Sequence, residues 1–76
     1  MKFNVKAVSL NVETGEPTAP ARTELIDTAA NVLFRGCDDE TSVEDKYEAF
    51  WNRINGFTND FPHGKVKVLT VEKVYS

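Results

Sequence analysis

A chain of 76 residues with a formal net charge of −3 is expected to form one domain, and such a domain buries only about 60% of its unfolded surface. Its single cysteine excludes an intramolecular disulfide, and with it the bridge-stapled class of secreted proteins. The N-terminal residues alternate lysine and asparagine with apolar residues, which excludes a signal peptide and a membrane span. We therefore expect residues 1–76 to be one complete, soluble domain that acts in the cytoplasm.

Residues 2–13 are predicted to form a β-strand. Phe3, Val5 and Ala7 share one parity and the later apolar residues share the other, so the apolar set changes face next to Ala7. This pattern predicts either a β-bulge near Lys6 and Ala7 or burial of both strand faces in turn.

Residues 22–35 fit two patterns, and they follow a segment, residues 14–21, whose glycine and two prolines indicate a connecting loop. With a period of two, one face carries Ile26, Thr28, Ala30, Val32 and Phe34. With the helical period, an apolar stripe is formed by Leu25, Ile26, Ala29 and Leu33, and Gly36 would end the helix. We predict a strand, because β-branched and aromatic residues share a parity that no polar residue other than threonine interrupts.

A helix is predicted to begin within residues 38–48, which hold six acidic residues and one lysine. Their net charge of −5 leaves +2 for the rest of the chain, so the acidity is concentrated in one place. Ser42 with Asp45 and Thr41 with Glu44 both match the S/T-x-x-D/E capping pattern. Acidic side chains in a first turn also face the positive end of the helix dipole. Most of the acidic cluster is therefore explained as the start of a helix.

The predicted helix buries one side and ends near Gly56. At about 100° per residue, an arc of roughly 60° contains Val43, Tyr47, Phe50 and Ile54. Arg53 would place a cation in the last turn, and Gly56 would end the helix in a left-handed conformation.

Residues 64–76 are predicted to form a strand because they are rich in valine and alternate with period two. One face is expected to carry Val66, Val68, Thr70 and Val74, and the other Lys65, Lys67, Leu69, Val71, Lys73 and Tyr75. The order β-β-α-β predicts an α+β fold, in which one amphipathic helix packs on one face of a single-layer sheet of three mainly antiparallel strands. The open edges of such a sheet would allow a homodimer through the first or the last strand.

Metal and cofactor sites are not expected. The acidic run DDETSVED lacks the D-x-D-x-D-G loop with a distal glutamate that calcium sites use, and a helix points its carboxylates in different directions. The four glycines are scattered and match neither the P-loop nor the dinucleotide-binding spacing.

Cys37 and His63 are the residues on which a small thiol-dependent enzyme or ligand carrier would rely, since a thiolate needs a base. Asp38 and Asp39 next to the thiol disfavour the thiolate, whereas reactive cysteines lie in electropositive surroundings. A small filler cysteine and a solvated turn histidine are the more ordinary roles, so we do not expect an enzyme.

Lys65, Lys67 and Lys73, with Tyr75 nearby, raise the alternative of a weak single-strand nucleic-acid binder. The sequence pI of about 5.0 argues against it, because nucleic-acid binders are expected to be basic. Lysines on an exposed strand also protect a sheet edge from aggregation. Direct nucleic-acid binding is therefore not expected.

Trp51 is the residue that most suggests a function. It lies about 80° around the helix from Val43, at the border of the core stripe and beside Glu44 and Glu48. It either folds inward to complete a thin core or keeps an exposed edge. An exposed tryptophan ringed by carboxylates is typical of a protein-binding hot spot. The predicted partner-binding residues are Glu44, Asp45, Glu48, Trp51 and Asn52.

The leading hypothesis is a non-catalytic, acidic protein-binding module that docks on a basic surface of a larger protein or nucleoprotein complex. In length, acidity and lack of motifs the chain resembles small phage-encoded proteins that block host machinery, including inhibitors of CRISPR complexes. The resemblance is one of class and assigns no residues. It implies that carboxylates occupy a lysine and arginine groove meant for nucleic acid; Glu44 and Glu48 are about 6 Å apart along the helix axis. The net charge of −3 argues against a mimic of DNA by the whole molecule.

Overall fold

The computed structural model describes residues 1–54, 57 and 64–75 of the chain. In this part it contains the strands β1 (Lys2–Asn11), β2 (Arg22–Asp27) and β3 (Gly64–Val74) and the helix α1 (Glu40–Arg53). The strands form an antiparallel sheet in the order β2-β1-β3, with α1 packed against it. The predicted α+β class and the element order β-β-α-β are confirmed. No helix in these residues is both long and apolar enough to cross a bilayer.

The core lies between α1 and one face of the sheet, which we call the helix face. Its buried cluster consists of Phe3, Val5, Ala7, Ile26, Phe34, Cys37, Val43, Tyr47, Val66 and Val68. The strand β1 is central and pairs on both sides, so a homodimer through the first strand has no edge to use. The edges of the sheet are β2 and β3.

The predicted irregularity near Lys6 and Ala7 is confirmed as a shift in register, but the extra residue belongs to β3. Lys6 pairs with Thr70 and Ala7 pairs with Val68, so Leu69 has no partner in β1. Such a bulge exchanges the faces of the residues that follow it.

The exchange corrects the predicted faces of β3. Residues directly opposite in a ladder share a face, so Val71 lies on the helix face with its partner Val5 and packs against the core. Thr70, expected beside Val66, lies on the opposite face and is exposed.

The strand predicted over residues 22–35 is only half correct. The strand β2 ends at Asp27, and residues Val32–Phe34 form a 3-10 helix. The side-chain carboxylate of Asp27 accepts a hydrogen bond from the Ala29 N–H at 3.1 Å. The backbone carbonyl of Asp27 accepts hydrogen bonds from the N–H groups of Ala30 and Asn31, so the chain turns. The exposed fraction of Val32 is 70%, whereas Phe34 is buried, and Ala30 is also exposed. Local polar hydrogen bonds therefore override the alternation of apolar residues.

The predicted helix is confirmed, but its cap is Asp39 and not Ser42 or Thr41. The Asp39 carboxylate accepts a hydrogen bond from the Ser42 N–H at 2.7 Å, and the Ser42 hydroxyl accepts one from the Asp39 N–H at 3.4 Å. Hydrogen bonding from the Ser42 backbone N–H, and next from the Ser42 side chain, lowers the pKa of Asp39. The capping box begins two residues before Thr41 and three before Ser42, the caps that the sequence patterns suggested.

The core stripe of α1 is narrower than predicted. Val43 and Tyr47 are fully buried and Phe50 is half-buried, whereas Ile54 is 39% exposed and caps the C-terminus. Arg53 lies in the last turn, as expected. Gly56, the expected terminator, lies outside the described residues.

Candidate protein-binding surface

Trp51 is the centre of an aromatic cluster at the C-terminal half of α1. Its ring centroid lies 5.1 Å from that of Phe50 and 5.1 Å from that of Phe57, both in edge-to-face geometry. The Tyr47 ring lies 6.3 Å away, and Trp51 is half-buried against the core. Trp51 is therefore neither a fully buried core residue nor a free surface residue, and its neighbours hold its ring in place.

A guanidinium group covers part of this cluster. The Arg22 guanidinium carbon lies 5.0 Å from the Trp51 ring centroid and 4.4 Å from that of Phe57. The Glu24 carboxylate accepts a hydrogen bond from Arg22 at 2.7 Å and fixes its position. Cations stack on aromatic faces in this way, so the start of β2 is joined to the end of α1. The sequence patterns did not indicate this contact, because nothing local links an arginine after a loop to an aromatic helix end.

Tyr47 connects the cluster to the core. Its ring is fully buried, and its hydroxyl donates a hydrogen bond to Glu24 at 3.4 Å. Burial, and next the nearby charge of Glu24, raise the pKa of Tyr47 to about 12. The phenol therefore stays protonated as the donor at neutral pH, and Glu24 is shared between Tyr47 and Arg22.

The predicted acidic residues of α1 lie within the two helical turns before Trp51, and Glu48 is the nearest of them along the helix. Asp45 is exposed, and Glu44 and Glu48 are half-buried. Glu48 is three residues before Trp51, so the two side chains are neighbours on the helix surface. The described residues contain one salt bridge, between Arg22 and Glu24. Glu44, Asp45 and Glu48 therefore form no salt bridge within this part of the chain.

Asn52, predicted to face a partner, instead contacts β3. Its side-chain amide donates a hydrogen bond to the Val66 carbonyl at 3.3 Å and accepts one from the Val66 N–H at 2.7 Å. Both functional groups of the side chain are used inside the domain. The candidate surface comprises the other predicted residues, Glu44, Asp45, Glu48 and Trp51. It also includes Phe50, which the sequence placed in the core stripe, and Phe57, which the sequence did not indicate.

The residues of the two alternative functions lie elsewhere. Cys37 is buried in the core, and its thiol donates a hydrogen bond to the Ser42 carbonyl at 3.7 Å. A buried, hydrogen-bonded cysteine is typical of a structural role. His63, its proposed base, lies outside the described residues.

The expected lysine row of β3 is broken by the bulge. Lys65 and Lys67 lie on the sheet face opposite to α1, whereas Lys73 pairs with Phe3 of the helix face and stacks over Tyr75 at 5.2 Å. The strands place no aromatic side chain on the face that carries Lys65 and Lys67. The strands therefore give that face no stacking platform of the kind on which single strands bind.

Comparisons with known protein families, curated proteins and solved structures find no match to this chain. Within residues 1–54, 57 and 64–75, no three potential metal ligands lie together. The chemistry of the site is therefore that of aromatic surface, one stacked cation and uncompensated carboxylates.

Proposed function

We propose that the chain is a non-catalytic binding module that docks on a basic surface of a larger protein or nucleoprotein complex. Its docking surface is Trp51 with Phe50 and Phe57, flanked by Glu44, Asp45 and Glu48. The observation that carries the proposal is the half-buried Trp51, held among aromatic rings beside carboxylates that lack an ion pair in the described residues.

The aromatic part of this surface supplies the anchor. A tryptophan held by edge-to-face contacts loses little side-chain entropy on binding, because its rotamer is already restricted. Tryptophan is also among the residues most enriched at binding hot spots, where large apolar surface and a hydrogen-bond donor occur together.

The acidic part supplies orientation and specificity. Carboxylates at the rim of an interface attract a basic partner and accelerate its encounter, although each exposed pair adds only about 0–1 kcal/mol of affinity. Five acidic residues within residues 38–45 lie in or just before the N-terminal half of α1 and make it strongly negative. In an inhibitor of the phage-encoded type, these carboxylates would bind the lysine and arginine side chains that otherwise bind nucleic acid.

The test is a capture experiment with matched charge changes. The variant Glu44→Lys/Glu48→Lys reverses two charges on the docking surface, and Glu13→Lys/Glu16→Lys reverses two exposed charges in the loop between β1 and β2. Both variants change the net charge equally. Each protein is immobilised and exposed to extract from the native host, and captured proteins are identified by mass spectrometry.

A partner of this surface is captured by the wild type and by the loop variant, and it is lost with the helix variant. Addition of this partner to the wild-type protein should also shift the fluorescence of Trp51, the only tryptophan in the chain. If the helix variant captures the same proteins in the same amounts, the proposed docking surface is wrong.

A further inference from the structure

The outer edge of β3 is partly closed by Asn52. Because the Val66 N–H and carbonyl both bond to this side chain, they point away from β1. In an antiparallel sheet, residues on the same face of a strand direct their backbone groups to the same side. Val68 shares the helix face with Val66, so its N–H and carbonyl also point outward.

The bulge preserves this orientation further along the strand. With Leu69 inserted, Val71 takes the next position on the helix face, opposite Val5. Its backbone groups therefore point outward as well. No hydrogen bond from another described residue reaches the outward groups of Val68 and Val71. Among the described residues, the edge of β3 is therefore open from Val68 onward, directly after the backbone groups that Asn52 binds.

The irregular spacing of this edge selects its partner. Three residue steps separate Val68 from Val71, where a regular strand would have two, so an ordinary strand cannot follow the edge in register. A second copy of the same edge carries the same extra residue. Placed antiparallel about a two-fold axis between Leu69 and Thr70, the second copy sets its Val71 opposite Val68. Leu69 and Thr70 then lie opposite the second copy's Thr70 and Leu69.

The charges agree with the same alignment. It sets Lys67 opposite the second copy's Glu72, and both side chains lie on the sheet face away from α1, because they pair with Val8 and Asn4. Opposite charges directly across a ladder stabilise the pairing. Leu69, which is 47% exposed in one copy, would be covered at the axis.

We propose that β3 pairs antiparallel with β3 of a second copy, through residues 67–72, to give a two-fold symmetric dimer with a continuous six-stranded sheet. The ladder ends at Val66, because the Asn52 side chain already binds the N–H and carbonyl of that residue. The interface is therefore small and the dimer weak. The two helices lie on the same side of the sheet. Two docking surfaces on one side would bind a repeated or symmetric partner with greater avidity than one.

The test is sedimentation equilibrium of the isolated protein from micromolar to millimolar concentration, with the variants Lys67→Glu, Glu72→Lys and the double exchange. Each single reversal converts two attractive pairs into two repulsive ones, and it should weaken dimerisation about tenfold. The double exchange restores the pairs and should return the dissociation constant to near the wild-type value. Lys65→Glu is the matched control, because the alignment sets Lys65 opposite an uncharged valine, Val74, and the change should have a much smaller effect.

A wild-type protein that stays monomeric at millimolar concentration would overturn the proposal. So would a dimer that responds equally to Lys65→Glu and Lys67→Glu, or one that the double exchange fails to restore. The three substituted side chains, Lys65, Lys67 and Glu72, are all exposed, and circular dichroism confirms that each variant is folded before its association is compared.

Discussion

The two halves of α1 use the same amphipathic helix for different purposes. In the first half, Asp39 caps the helix while Val43 and Tyr47 fill the core. In the second half, Trp51 is half-buried in an aromatic cluster, and Asn52 is bonded to the backbone of β3. The buried side of α1 stabilises the fold, whereas its C-terminal end supplies the aromatic part of the docking surface and contacts the edge of β3. Substitution of the buried Tyr47 should therefore reduce stability most, and substitution at the docking surface should alter association most.

Tyr47→Ala should have the largest effect on stability, because it removes a fully buried aromatic ring at the centre of the core. By analogy with other buried aromatic residues, the loss is about 3–5 kcal/mol, which is enough to unfold many small domains. Tyr47→Phe keeps the ring and should cost far less. Urea unfolding followed by circular dichroism measures both variants; equal losses would show that the hydroxyl, and not ring burial, dominates.

High pH should produce the next largest effect. The folded protein raises the pKa of Tyr47 to about 12 from an ordinary 10.0, so the neutral phenol is favoured by folding. Its contribution is complete below pH 10 and is lost as the pH rises towards 12, with a loss of roughly 2 kcal/mol. The free energy of unfolding of wild type and Tyr47→Phe should converge over this interval. Parallel pH profiles would contradict the assignment.

Asn52→Ala should destabilise the protein by roughly 1–3 kcal/mol, because the buried N–H and carbonyl of Val66 lose their hydrogen-bond partner. The matched control is Asn4→Ala, at an exposed position on the opposite sheet face, which should change stability by less than about 0.5 kcal/mol. Thermal unfolding compares them. An Asn52 variant as stable as the control would mean that the bonds to β3 contribute nothing.

Asp39→Ala should have the smallest effect of the four, because its side chain is exposed. The hydrogen bonds from Ser42 lower the pKa of Asp39 below its ordinary 3.8, so the stabilisation is present above that value and is lost as the pH falls through the folded pKa. Unfolding curves at pH 7 and in acid should show wild type and variant approaching each other in acid. A constant difference would contradict a role for the charged cap.

The sequence predicted those features that depend on regular patterns. The strands, the helix and the register shift beside Lys6 follow from parity and periodicity. Residues 28–34 could not be predicted in this way, because hydrogen bonds to the side chains of Asp27 and Asn31 compete with strand pairing. The same residues also fit both the strand period and the helical period.

The candidate site was predictable only in its helical part. Glu44, Asp45 and Glu48 follow from their spacing on one helix. The contact of Arg22 with Trp51 and the bond of Asn52 to Val66 join elements far apart in the chain, and no local pattern encodes them. Asn52 was predicted to belong to the partner-binding set, but tertiary contacts decide the orientation of a polar side chain at a helix end.

The central claim, a half-exposed Trp51 in a negative environment, is tested most directly by quenching its fluorescence at low ionic strength with caesium and with iodide. Since Trp51 is the only tryptophan, its signal has one source. Caesium, a cation, should quench more efficiently than iodide after correction with free tryptophan, and Glu44→Lys/Glu48→Lys should reverse that order. Stronger quenching by iodide in the wild type, or no quenching by either ion, would contradict the proposed acidic docking surface.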